Sequence, residues 1–346
     1  MKTKKFLIIA AIAGAALAGC SKDKHVEPDG SQGNPFIVKD AATLKKVGSG
    51  TDGWDLTKHY LQTANISLNA TETWIPIGIP PTGFTGSYDG GGYSITGLNI
   101  PATTTMAQGL FSTISFQGVV RNVALINVNI YSTNEYPGGI AGGNYGIIEN
   151  CYVTGNIRGN GGDGGIAGYN RGEIKNCYTT CTVTNNGVRT GGIVGDNGGK
   201  IQNCYATGKI TGTDYVGGIV GNSASSSATV QSCVALNIEV SATNATGNVG
   251  RVVGNNSGGA MIDNYARAAG MTLKRGSATI TPTEATLTGK DGANVAANYT
   301  HGDNSAVWWA NGCDTKLWNL APNRLPHLRT TEGKEFKQPQ NPEVLW

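Results

Sequence analysis

Histidine is scarce in this chain. The four residues, His25, His59, His301 and His327, all fall outside the central region 107–270. The seven cysteines include no C-x2-C pair. Structural zinc sites need close pairs of such ligands, so no metal and no cofactor is expected. His-Glu-x-x-His, Gly-x-Ser-x-Gly and the Gly-x-x-x-x-Gly-Lys phosphate loop are missing too. That removes the usual signatures of zinc peptidases, serine hydrolases and nucleotide-binding enzymes. Nor does any stretch of the repeated region hold a 3.6-residue apolar period long enough for a crossover helix, which excludes an α/β architecture.

Excess charge is lacking as well. The formal net charge is +3, and three lysines, Lys2, Lys4 and Lys5, lie in the first 19 residues. Without that stretch 23 Lys+Arg face 23 Asp+Glu, so no basic field is left to attract nucleic acid. The lysines precede an apolar run from Phe6 to Ala18 and then Leu17-Ala18-Gly19-Cys20. The run is shorter than the ~20 residues a membrane-spanning helix needs, and a basic start, short apolar core and small residues define a secretory signal. Leu-Ala-Gly-Cys resembles a lipobox, which implies removal of residues 1–19 and lipidation of Cys20. The expected location is the outer membrane, lipid-anchored and on the cell surface, with the membrane as one partner. Residues 20–33, polar and carrying Pro28, Gly30 and Gly33, read as a tether.

What is abundant is glycine, 52 residues of 346, about twice the usual ~7 %, and it recurs with a period. Gly139-Ile140-Ala141-Gly142, Gly165-Ile166-Ala167-Gly168, Gly192-Ile193-Val194-Gly195 and Gly218-Ile219-Val220-Gly221 follow at intervals of 26, 27 and 26 residues. Gly109-Leu110-Phe111-Ser112 is an earlier version. Gly250-Arg251-Val252-Val253-Gly254 is a late one, read here with Arg251 in place of isoleucine. A second block follows each: Val120-Arg121-Asn122-Val123, Ile148-Glu149-Asn150-Cys151, Ile174-Lys175-Asn176-Cys177, Ile201-Gln202-Asn203-Cys204, Val230-Gln231-Ser232-Cys233 and Ile262-Asp263-Asn264-Tyr265. Each unit thus holds about three short β-prone runs divided by Gly or Asn. A short strand cannot bury its face alone, whereas stacked copies pair each strand with its own image ~4.8 Å away. The fold class is therefore all-β: a parallel β-helix or solenoid, right-handed by the crossover rule, with N- and C-terminal capping segments.

Columns follow from the alignment. The residue before each Asn is polar and faces water, and the Ile or Val before it faces in. Cys151, Cys177, Cys204 and Cys233 face in as small apolar groups. The Asn, at a corner, is expected in left-handed conformation and in a ladder of Asn122, Asn150, Asn176, Asn203, Ser232 and Asn264. Tyr152, Tyr178 and Tyr205 follow the inward cysteines, so alternation points them out. Two readings stand for them: a ligand-binding platform for sugar rings, and self-stacking that stabilises the sheet. Gly159 to Gly165 contains one Gly-Asp element of calcium-binding type, read as a corner because it does not recur on adjacent coils.

The Gly-Ile/Val-x-Gly signature at residues 139, 165, 192 and 218 resembles the GLUG-motif repeat family. Trp74–Gly78 and Phe84–Ile95 resemble the lead-in of such proteins, and Asn323–Leu328 their closing segment. The resemblance spans roughly residues 34–330 and implies a solenoid of adhesin-like bacterial surface proteins, not a reaction. The zinc peptidase that accompanies such repeats in IgA-specific proteases would need the missing His-Glu-x-x-His.

The expected organisation is a signal over 1–19, a tether over 20–33, an N-terminal cap and first coils over 34–106, repeats over 107–270 and a C-terminal cap over 271–346. A helix is expected from Asp40 to Val47 and β-structure over Tyr60–Leu68. Coiling should weaken at the Ser223–Ser227 insert and at Arg251. Trp308, Trp309, Trp318 and Trp346 should plug the last coil or, on a second reading, bind a ligand; Thr330–Glu343 should be loose. The function expected is a non-enzymatic, monomeric surface lipoprotein that binds a host or matrix glycan or protein. The alternatives are a glycan-binding component of a nutrient-uptake system and a β-helix polysaccharide enzyme. The last would need clustered carboxylates, whereas Glu149, Asp163, Glu173, Asp196 and Asp214 share no column.

Overall fold

The computed structural model describes residues 26–223, 225–295, 314–320, 325–338 and 340. Cys20 with the rest of the signal segment, and Trp308, Trp309 and Trp346, lie outside the described residues. The chain winds as a parallel β-solenoid. Nine strands form its first wall: Phe36–Val38, His59–Gln62, Ser87–Asp89, Val119–Arg121, Ile147–Glu149, Glu173–Lys175, Lys200–Gln202, Thr229–Gln231 and Ala260–Ile262, each paired with the same strand one coil on. A second wall of six strands runs from Phe111–Ile114 through Ala141–Asn144, Ala167–Asn170, Val194–Asn197 and Val220–Ser223 to Val253–Asn256. A third sheet holds 15 strands. A short fourth one joins Asp163–Gly164, Val188–Gly191, Asp214–Gly217 and Val249–Gly250.

The register puts equivalent residues side by side. Val120, Ile148, Ile174, Ile201 and Val230 pair in sequence, and all are fully buried. Ile140, Ile166, Ile193 and Ile219 and the four repeat cysteines are equally buried. Each such aliphatic side chain contributes roughly 1.5–3 kcal/mol. Glycines let these walls approach. A Cβ on Gly192 would lie 2.1 Å from the carbonyl oxygen of Gly218 on the next coil. One on Gly195 would lie 2.2 Å from the Gly162 carbonyl carbon, within a corner where Ala107, Tyr136, Gly162, Arg189 and Tyr215 all have positive φ. The first and last glycines of the motif are thus demanded by backbone contacts, the former between coils and the latter at this corner.

The Asn corner is left-handed, with φ of 56°, 52°, 51°, 52° and 52° at Asn122, Asn150, Asn176, Asn203 and Ser232. The last copy differs from the expected alignment by one residue. Met261 pairs with Val230 and Ile262 with Gln231, so Asp263 takes the left-handed place, with φ 51°. Asn264 falls in the cysteine column, where its amide bonds the backbone of Cys233 and Val230. The expected side-chain ladder is partial, with Asn203 donating to Asn176 at 3.3 Å. A fuller ladder lies elsewhere: Asn144 donates to Asn170, and Asn170 to Asn197, at 2.8 Å each, with all three buried.

Coiling does not weaken beyond the fifth copy, because every wall continues in register into the last coil. Arg251 stands opposite Gly218, not Ile219, since Gly217 pairs with Gly250 and Val220 with Val253. A side chain is tolerated there because the repeat ends. The Arg251 guanidinium donates to the carbonyls of Arg267 and Gly292 and to Asn294 Oδ1, and its backbone N–H donates to Asp291. Residues 290–294 thus close the last coil, with Arg251 as their anchor.

At the other end Asp40 caps the helix Ala41–Lys46 through a capping box with Thr43, and Lys45 and Lys46 sit favourably in the last turn. The helix lays Leu44 over the first coil, beside a core of Phe36, Trp54, Tyr60 and Phe84.

Candidate functional site

The tyrosine column points away from the coil interior but is not exposed. Tyr152, Tyr178 and Tyr205 are at most 2 % accessible. Their rings stack at 4.9 Å with interplanar angles of 2°. The described C-terminal residues 314–320, 325–338 and 340 lie over them as a strap. Trp318 packs on Tyr205 and Phe336 on Tyr152. The Tyr205 hydroxyl donates to the Pro326 carbonyl, and that of Tyr178 to Gln340. The corner asparagines hold the same strap: Asn122 exchanges bonds with Thr331, and Asn150 donates to the Arg329 carbonyl. The backbone N–H of Lys337 reaches the Gly92 carbonyl.

This corrects three expectations. The tyrosines are not an open ligand platform, because an aromatic strap excludes ligand from them. Trp318 covers a side wall instead of plugging the last coil. Thr330–Glu343 is not loose where described, since Thr330, Phe336 and Gln340 are buried.

The cysteines lie in the interior. Each Sγ contacts the carbonyl two residues earlier, at 3.1 to 3.3 Å, and no disulfide joins them among the described residues. Burial pushes the thiols of Cys151 and Cys204 up, which suits packing and not nucleophilic chemistry.

Asp163, in the Gly159–Gly165 corner, is also internal. Its carboxylate is fully buried, Oδ2 has no partner among the described residues, and Thr190, the next residue in its column, likewise leaves Oγ1 unpaired. Burial pushes the Asp163 carboxyl well above the usual range, so its neutral form is favoured. Folding then raises its pKa, and its contribution is complete below the unfolded value of about 4 and lost as pH rises through the folded one. Asp163→Asn is expected to raise the thermal midpoint at pH 8, by the equivalent of ~1–3 kcal/mol, with the gain vanishing below about pH 4. Parallel melts across that range would check it, and an equal gain at both ends would contradict a buried neutral carboxyl.

The outer face of the second wall is open. Its register runs Thr113, Gly143, Tyr169, Asp196, Asn222, Asn255. Tyr169 lies 5.6 Å from Tyr136 and 5.9 Å from Tyr145, centroid to centroid, and Tyr145 is exposed. Arg189 bridges Glu135 and Asp196 at 3.2 and 3.4 Å and sits over the Tyr136 ring. Asn255 donates to Asn222, and Asn222 to Asp196. Arg171 sits over Tyr169, with no carboxylate in ion-pair reach among the described residues. None of these residues was singled out from the sequence as a binding group. Their signal was Tyr145 and Arg171, each three residues past a motif's last glycine, with Tyr169 directly after one.

Other acids are engaged. Glu149 and Glu173 face Lys175, Glu239 faces Lys209 and Lys274, and Asp89 faces Arg121. A hollow of about 610 Å3 beside the capping helix, lined by Val47, Leu56, Trp74 and Ile77, has one acid, Glu72, which pairs with Lys45.

Comparison with known proteins agrees with the repeat. The family described as the GLUG motif matches residues 133–158 and 186–211. A protein of Evansella cellulosilytica named as a candidate Gly-rich membrane protein is 32 % identical over 133 residues, which are 36 % of this chain and 15 % of that protein. Halomucin of Haloquadratum walsbyi is 30 % identical over 139 residues, 38 % of this chain and 2 % of that protein. The chain thus aligns with only a small part of either relative. A solved structure of a candidate immunoglobulin A1 protease from Bacteroides ovatus superposes with a TM-score of 0.72 at 25 % identity, covering 87 % of this chain and 94 % of that one. The coils, their glycine columns and these matches together identify the chain as a parallel β-solenoid in which two repeats match the GLUG motif.

Proposed function

We propose that the chain is a lipid-anchored protein of the outer membrane, held by Cys20 and facing outward, which displays its solenoid as a monomer for adhesion to a host or matrix ligand and has no catalytic activity. The observation that carries this reading is the second wall. Its inward residues repeat while its outward ones, Thr113, Gly143, Tyr169, Asp196 and Asn222, differ over five successive coils. Packing demands the first set, and the second is what a partner outside would meet. The ion-paired acids and the buried Asp163 support a binding role over glycoside cleavage, which needs two carboxylates facing one bond. The relatives named for a membrane and for a mucin support a surface location. A glycan-binding role in nutrient uptake is the second reading, favoured by the exposed aromatic cluster.

The test is made on cells. External protease should remove the solenoid from intact cells, and Cys20→Ser should release the protein from the membrane fraction and abolish attachment of the cells to mucin- or matrix-coated surfaces. Protection from protease until the outer membrane is broken would overturn the surface assignment.

A further inference from the structure

The second wall carries a cluster of two tyrosines and an arginine beside Gly143. Gly143 lies between Thr113 and Tyr169 in register, and a Cβ placed on it would meet nothing closer than Tyr145 Cε2 at 3.7 Å and Thr113 Oγ1 at 3.8 Å. This glycine therefore differs from those of the motif: it is buried, but an added methyl group would make only ordinary contacts. Tyr145 and Tyr169 pack edge to face beside it, their centroids 5.9 Å apart and 63° inclined. The Arg171 guanidinium lies 5.3 Å from the Tyr169 ring centroid. Its neighbour Arg189 is neutralised by Glu135 and Asp196, whereas Arg171 is exposed and faces no acid among the described residues.

We propose that this cluster binds an acidic saccharide, with a sugar ring against Tyr145 and Tyr169 and its carboxylate or sulfate on the Arg171 guanidinium. The proposal rests on the reading of the solenoid as a ligand-binding wall. The weakly positive C–H face of a pyranose suits the negative face of an aromatic ring. A guanidinium gives an anionic oxygen pair a planar, two-pronged donor that is weakly hydrated. Further along the axis Asn222 and Asn255 supply a row of amides. Coils recur every ~4.8 Å, close to the advance of one sugar along an extended chain, so a linear polymer laid along the axis meets this wall at each unit.

The experiment is calorimetric titration of the full chain in detergent with a galacturonic-acid hexamer, a sulfated galactose hexamer and a neutral galactose hexamer. At least one acidic oligomer should bind, at least tenfold tighter than the neutral one, and more weakly as salt rises. Arg171→Gln and Tyr169→Ala should each weaken it tenfold or more. Tyr145→Ala should weaken it likewise, with its melting temperature unchanged, because Tyr145 is exposed. Which acidic oligomer binds distinguishes carboxylate from sulfate. Equal binding of the neutral oligomer, undiminished binding by Arg171→Gln and Tyr145→Ala, or no binding of any oligomer would overturn the proposal. Cells that still attach through the solenoid to protein-coated surfaces, while no oligomer binds, would reject this site and leave the adhesive reading standing.

Discussion

Gly192→Ala is expected to destabilise the solenoid by about 3 kcal/mol, at the upper end of overpacking effects, while Gly143→Ala should change stability by less than ~0.5 kcal/mol, as surface substitutions do. Both glycines lie in coils of the same repeat, two coils apart, so composition and propensity cannot separate them. Geometry does. The methyl group at 192 would fall 2.1 Å from the Gly218 carbonyl oxygen and 2.7 Å from Ala206 Cβ. Neither neighbour is the free end of a flexible side chain, so two coils must part and stretch their shared ladder. The methyl group at 143 meets no atom within 3.4 Å. Denaturant midpoints of the two variants decide the matter, and similar losses would refute the close-approach explanation of the motif.

Trp318→Ala is the second large effect. Removing a buried tryptophan costs about 3–5 kcal/mol, but here the loss should fall on the strap before the coils. Trp318 is 1 % exposed and contacts Tyr205 and Asn176, not the interior. The readout is tyrosine ionisation followed by near-ultraviolet absorbance. In the intact protein burial holds the hydroxyls of Tyr152 and Tyr178 well above their ordinary range. With the strap loosened, they should ionise near the ordinary value of about 10 while the β-sheet circular dichroism persists. Simultaneous loss of the sheet signal would mean that strap and coils form one cooperative unit.

The coils were legible in the sequence because a solenoid writes its contacts at a fixed interval. Ile148, Ile174 and Ile201 must touch one another if each strand pairs with its own image. The strap was not legible for the converse reason. Trp318, Leu328 and Phe336 have no period, and nothing in their order says that they return to coils wound long before. Alternation pointed Tyr178 outward, and only this non-repetitive contact buries it. The slip at Asn264 has a simpler origin: Asn-Tyr imitates Asn-Cys, and Met261 as the inward residue shows only in the pairing with Val230. The Asn144 ladder was written plainly enough, one asparagine two residues past Gly142, Gly168 and Gly195, but it stood inside a glycine-rich turn where a loop is the ordinary expectation.

The strap also imposes an order on events. Coil pairs with coil about 26 to 29 residues away, as in the bonds between Asn144 and Asn170 and between Gln202 and Gln231, so winding can advance one turn at a time while the chain is still being made. The bond between Asn122 and Thr331 spans 209 residues and that between Tyr178 and Gln340 spans 162. Neither can close until the last turn has been laid down. The polypeptide is therefore wound first and buckled last, and a chain cut short before residue 314 would carry a column of uncovered rings that marks it as unfinished.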